Sequence, residues 1–143
     1  MEENDELKSP YELFGVECGE GWKDIIQPLF NYVEEYNKEH QDSSIEILQV
    51  KEKWGELFFY VSHEDRKLCD MINDAEAESW KTCECCGSKE NIVHTDGWIM
   101  TICKDCLKKL SSDSKRVYSF WENIEGTWTH YICNKEEIKE VKQ

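Results

Sequence analysis

Cys83-Glu84-Cys85-Cys86-Gly87 and Cys103-Lys104-Asp105-Cys106 carry two C-x2-C pairs with 16 residues between them. Two thiolates three positions apart fit a tight knuckle, and two knuckles at this separation supply four sulfurs to one tetrahedral ion. The spacing predicts one zinc ion held by Cys83, Cys86, Cys103 and Cys106. Four thiolates saturate the metal and leave no position for an activated water, so this zinc is expected to be structural. An iron–sulfur cluster would also use four thiolates. A redox C-x-x-C would need a thioredoxin-like βαβ pattern around it, and none is present. Cys85 lies inside the first knuckle and could replace Cys83 or Cys86, but the matched pairs favour Cys83 with Cys86. Gly87 follows the first pair, where the turn needs positive φ. Cys18, Cys69 and Cys133 have no partner at ligand spacing and read as ordinary small buried or half-buried residues.

The residues around the pairs set the local fold. Ile92 to His94, Thr95-Asp96-Gly97 and Trp98 to Ile102 read as a short hairpin with Asp-Gly in its turn. Leu107-Lys108-Lys109-Leu110 starts a helix. Knuckle, hairpin and a second pair at a helix start is the order of a treble clef, with a zinc ribbon as the alternative. Residues 82–110 are thus expected to form the zinc module.

Upstream, residues 11–81 are expected to form an α+β unit of helix, β-hairpin and helix. Tyr11 to Gly21 reads as a short strand or docked loop. Trp22, Ile25, Ile26, Leu29, Phe30, Val33 and Tyr36 follow helical spacing, with Pro28 in the first turns or at the start. Ile45 to Glu52 and Leu57 to Val61 read as strands joined at Lys53-Trp54-Gly55-Glu56. Ser62 with Asp65 resembles a capping box for a helix ending near Trp80. Downstream, Ser111 to Lys115 reads as a linker. Tyr118 to Trp121 and Trp128 to Cys133 read as an aromatic hairpin, followed by a charged helical tail from Asn134. Residues 111–143 make up this last segment, and residues 1–10 are expected to be a disordered acidic terminus.

Charge narrows the function classes. Acids outnumber bases 31 to 17, and the 143-residue chain carries −14. Residues 1–20 hold −6 of this, and residues 83–110 are neutral in side chains. A non-specific nucleic-acid coat needs surplus Lys and Arg and is not expected. No apolar run approaches the roughly 18 residues of a membrane span. Met1 is followed by Glu2, Glu3, Asp5 and Glu6, unlike a secretory leader, so a cytoplasmic protein with reduced thiols is expected.

The chain also carries a resemblance. Phe14-Gly15-Val16-Glu17-Cys18-Gly19-Glu20-Gly21-Trp22, Val50-Lys51-Glu52-Lys53-Trp54-Gly55-Glu56-Leu57-Phe58-Phe59-Tyr60 and the two cysteine knuckles resemble a group of small, mostly uncharacterised phage and prophage proteins. The match runs over about residues 13–106. Trp54 stands where that group usually has Phe, and Phe58 where it usually has Arg. The resemblance implies a mobile-element origin and a bacterial host cytosol; it does not imply an enzyme.

Three function classes can be weighed on these residues. A metal-finger nuclease would need a His-rich strand and further His or Asn on its helix. His94 with Asp96 is the nearest approach, and the helix after Cys106 offers only Leu and Lys. Nucleic-acid binding has the finger-like spacing, Lys104, Lys108, Lys109, Lys115 and Arg116 in its favour, and the net charge against it. A non-enzymatic protein-interaction module fits best. Six tryptophans exceed what a small core needs, and aromatic residues dominate interface anchors. Trp54, Trp98, Trp121 and Trp128 are the expected partner-binding residues. The acidic faces suit a host protein with a basic surface, such as a nucleic-acid-handling or defence protein that the chain would inhibit.

Overall fold

The computed structural model describes residues 10–142. The expected disordered segment 1–10 lies outside the described residues except for Pro10, whose backbone opens the first helix. The architecture is mixed helix and sheet, with several small antiparallel sheets. Its elements are α1 (Pro10–Phe14), α2 (Lys23–Glu39), β1 (Ile47–Lys53), β2 (Glu56–Val61), α3 (Arg66–Ser79), β3 (Ile92–His94), β4 (Thr101–Cys103), α4 (Lys104–Ser114), β5 (Val117–Ile124), β6 (Thr127–Asn134) and β7 (Glu137–Glu140).

The helical spacing after Trp22 is realised in α2, which buries Ile26, Leu29, Phe30 and Val33. Pro28 sits inside it, early enough that only one hydrogen bond of the ladder is lost. The stripe packs on α3 and on the β1–β2 hairpin, and Tyr11, Trp22, Val50, Leu57, Phe59, Leu68 and Ile72 complete the first core. Each fully buried aliphatic side chain of such a core contributes about 1.5–3 kcal/mol. The hairpin turns at Trp54 and Gly55, with φ of 57° and 80°. This is the left-handed pair that a two-residue hairpin turn demands.

A second core holds Cys83, Val93, Ile102, Cys103, Leu107, Phe120 and Cys133. It joins the cysteine module to a three-stranded sheet in the order β5-β6-β7. An isolated bridge between Thr95 and Phe120 and a hydrogen bond from the Asp96 amide to the Ser119 carbonyl (2.8 Å) tie the β3–β4 hairpin to that sheet.

Four expectations are corrected. The start of the Tyr11–Gly21 stretch is helical as α1, and only Glu17 pairs, through a parallel bridge to Lys51. The cap of α3 is Asp65, whose carboxylate accepts from the Leu68 amide at 2.7 Å, while Ser62 Oγ accepts from the Glu46 amide instead. Ser111 to Ser114 continue α4, and Lys115 ends it in the left-handed conformation. Ser111 is polar yet fully buried, and its hydroxyl donates to the Arg116 carbonyl. The tail is not helical. Lys135 turns with φ of 58° and Glu137–Glu140 pairs with β6, which lets Ile138 pack on the second core. Burial of one apolar side chain and a ladder of strand hydrogen bonds outweigh the helix propensity of a charged run.

Candidate metal centre

The first knuckle is a tight turn. Its Cys83 amide donates to the Ser88 carbonyl (2.8 Å) and the Gly87 amide to the Cys83 carbonyl (2.9 Å). Gly87 has φ of 82°, as a left-handed turn position requires. The second pair is built differently. Cys103 closes β4 and is the N-cap of α4, and its sulfur accepts from the Cys106 amide at 3.4 Å in the first turn. The two halves are stitched by the Glu84 amide to the Thr101 carbonyl and the Lys104 amide to the Asn91 carbonyl, both 3.0 Å.

This brings Cys83, Cys86, Cys103 and Cys106 together, with all four sulfurs within 4.8 Å of one another. Cys86 Sγ and Cys103 Sγ are 3.7 Å apart. A metal–sulfur bond of about 2.3 Å in a tetrahedron requires sulfur–sulfur edges of roughly 3.8 Å. The cluster is therefore placed to hold one metal ion. No disulfide links any of the eight cysteines. Cys85, the open alternative in the sequence, is exposed and outside the four-sulfur group.

Without an ion, four adjacent thiols cannot all ionise. The hydrogen bond from Cys85 holds the Cys83 thiol below its ordinary value. Burial pushes Cys103 and Cys106 up. A bound dication would reverse this and favour all four thiolates together. The remaining cysteines are ordinary. Burial raises Cys18 to about 12 and also raises Cys133, while a hydrogen bond with Glu64 raises Cys69.

The sequence reading missed what clamps the knuckle to the first core. Gly21 donates its amide to the Glu84 carbonyl (2.7 Å), and Gly19 donates to Glu84 Oε2 (2.8 Å). A Cβ on Gly21 would lie 2.2 Å from the Cys83 carbonyl oxygen, and one on Gly19 2.4 Å from that of Glu84. Beside them the fully buried Trp22 donates its indole N–H to the Thr82 carbonyl at 2.9 Å. The visible signal was Gly19-Glu20-Gly21-Trp22 itself, in which two glycines flank one residue just before a tryptophan.

The expected partner-binding residues fall into two places. Trp54 and Trp98 are 69% and 77% exposed and wall a common cleft. Trp121 and Trp128 do not line that cleft. They share the outer face of the β5–β6 ribbon, opposite buried Phe120 and Cys133, by a register that pairs Trp121 with His130 and Asn123 with Trp128. His94 is occupied by Trp80, which it stacks on at 3.7 Å between ring centroids, with Nε2 2.9 Å from the Trp80 carbonyl. No family model, curated protein or solved structure matches the chain. Among the described residues no helix is long and apolar enough to cross a membrane.

Proposed function

We propose that this chain is a non-enzymatic protein-interaction module whose four cysteines hold one structural zinc in a treble-clef arrangement. The observation that carries the reading is the four-sulfur cluster, all within 4.8 Å of one another and with the Cys86–Cys103 edge, 3.7 Å, of tetrahedral size. A saturated ion organises surfaces rather than performing chemistry. What it organises here is a set of exposed tryptophans on a chain of net charge −14. Such a surface favours a partner with a basic face, and charge would speed the encounter while the indoles supply the anchors. The mobile-element resemblance makes a host nucleic-acid-handling or defence protein the partner of choice, in the host cytoplasm, with inhibition as the outcome.

A nucleic-acid-binding reading has a local feature behind it besides the finger-like spacing and the basic stretch from Lys104 to Arg116. Lys51 and Lys53 place their ammonium groups over the Phe58 ring, at 5.9 and 5.1 Å, and Tyr60 stacks on Phe58. The overall negative charge opposes a polyanion.

The experiment is capture from bacterial lysate at low and high salt, run beside a mobility-shift assay with random DNA and RNA pools. The interaction-module reading expects a protein retained at low salt and released at high salt, with no nucleic-acid shift. A salt-insensitive partner removes the basic face, and a shift of the nucleic-acid pools replaces the reading with the second one.

A further inference from the structure

The cleft between the first hairpin turn and the β3–β4 turn is built by residues distant in sequence. Its walls are Trp54 and Trp98, with Ile99, Gly97, Glu52 and Lys53 around them, and it encloses about 230 Å³. The two turns are held at fixed spacing. The Thr101 hydroxyl donates to the Gly55 carbonyl, and a Cβ on Gly55 would sit 2.9 Å from the Ile99 side chain. The volume is below the range of pockets that hold a cofactor or drug-sized ligand, and it suits a single long side chain.

Trp54 is costly where it stands. It occupies a left-handed turn position that favours Asn or Asp before Gly. With a ring 69% exposed, it recovers little of that cost from packing. The cleft and the groove that continues from it carry three carboxylates, Glu52, Glu56 and Glu76, beside two lysines, Lys53 and Lys81. Glu52 accepts from the Gly55 amide through one carboxylate oxygen (2.7 Å). Glu56 and Glu76 lie in the groove that continues along Trp54 and Trp80 and form no ion pair among the described residues. Burial and the neighbouring acids push the Glu76 carboxyl above its ordinary value, as expected of carboxylates that lack a counter-charge. The Lys53 ammonium lies over Phe58, and both residues line the adjoining groove. Lys81 lines the adjoining groove and is exposed.

We propose that the Trp54–Trp98 cleft is the anchor pocket for one arginine side chain on a basic segment of the protein partner. The inference rests on the interaction-module reading and names its chemistry. A guanidinium held beside the two exposed indoles would gain cation–π attraction from them, and the Glu52 carboxylate that lines the cleft would supply the opposite charge. The −14 net charge draws in the segment that carries the arginine.

The test is calorimetric titration of the intact zinc-loaded chain with an arginine-glycine peptide. Controls are the same peptide with citrulline in place of arginine, a proline-rich peptide and oligothymidylate. The arginine peptide should bind saturably, and the citrulline peptide at least about threefold more weakly. Trp54→Asn and Trp98→Ala should each weaken binding by about three- to thirtyfold. Trp54→Asn creates an Asn-Gly turn, so the hairpin is expected to keep its fold, which metal content and circular dichroism can check. Trp128→Ala, on the other sheet, should leave binding unchanged. Absence of saturable binding, equal binding of citrulline, indifference to both cleft substitutions, or tighter binding of the proline-rich peptide or oligothymidylate would each overturn the proposal. If a salt-sensitive protein partner is still captured by the double variant Trp54→Asn, Trp98→Ala, the pocket is excluded while the interaction-module reading stands.

Discussion

Cys103 has two tasks at once, metal ligand and N-cap of α4. A thiolate there also sits at the positive end of the helix. Cys103→Ser should therefore lose the ion and the helix start together, and Cys86→Ala should lose the ion. The cost is on the order of 10 kcal/mol where structural zinc is the source of folding energy. Cys85→Ser should keep full metal content, and Cys18→Ala and Cys133→Ala should cost only on the order of 1–2 kcal/mol. Metal content together with thermal melts of all five variants checks this, and equal losses across them would contradict the ligand assignment. Gly21 gives a second residue-scale test. A methyl group there cannot coexist with the Cys83 carbonyl, so Gly21→Ala should destabilise by about 1–3 kcal/mol and lower metal affinity by loosening the knuckle. Chelator competition reads the affinity, and an unchanged value would show that the clamp does not matter to the site.

At the scale of elements, α3 hangs on Asp65. Its carboxylate accepts from Tyr32 Oη and from the Leu68 amide, and these hold it below the ordinary carboxylate range. The same bond pushes the Tyr32 hydroxyl up to about 12. A depressed folded-state value means that the stabilisation is present above the unfolded value of about 3.9 and lost as pH falls through the folded one. The melting temperature should drop on acidification below about pH 4. Asp65→Ala should cost about 1 kcal/mol near neutral pH and flatten that part of the profile; a profile unaltered by the substitution would assign the acid sensitivity elsewhere. The cysteine pairs, the α2 stripe and the Trp54-Gly55 hairpin turn were legible in the sequence, because ligand spacing, helical periodicity and a glycine between two strand patterns are local signals. Asp96-Gly97 instead lies in a longer connection, and β4 starts at Thr101 and not at Trp98. What was not legible depended on distant contacts. The Ser62 cap lost to Asp65 because Tyr32, on another helix, reaches the latter. The expected linker at Ser111 became helix because its hydroxyl satisfies the Arg116 carbonyl in the second core. The tail became β7 because β6 offered a free edge. The Trp54–Trp98 cleft could not be read at all, since no local pattern reports that two turns meet.

The molecule as a whole has two cores, and the cysteine module belongs to the second. Phe120 and Cys133 from the C-terminal sheet pack with Cys83, Val93, Ile102, Cys103 and Leu107. Loss of the ion should therefore unfold more than residues 83–110 and carry β5–β7 with it. Hydrogen exchange of chelator-treated protein should show protection lost across β3 to β7. Protection should persist in α2 and the β1–β2 hairpin, whose core is separate. Protection retained in β5–β7 would mean that the sheet stands without the metal. The central claim is most directly tested by native mass spectrometry of the purified chain with elemental analysis. The account predicts one zinc per chain, retained by Cys85→Ser and lost by Cys103→Ser. A metal-free mass with the four thiols oxidised to disulfides, or a stoichiometric ion that survives Cys103→Ser, would contradict it.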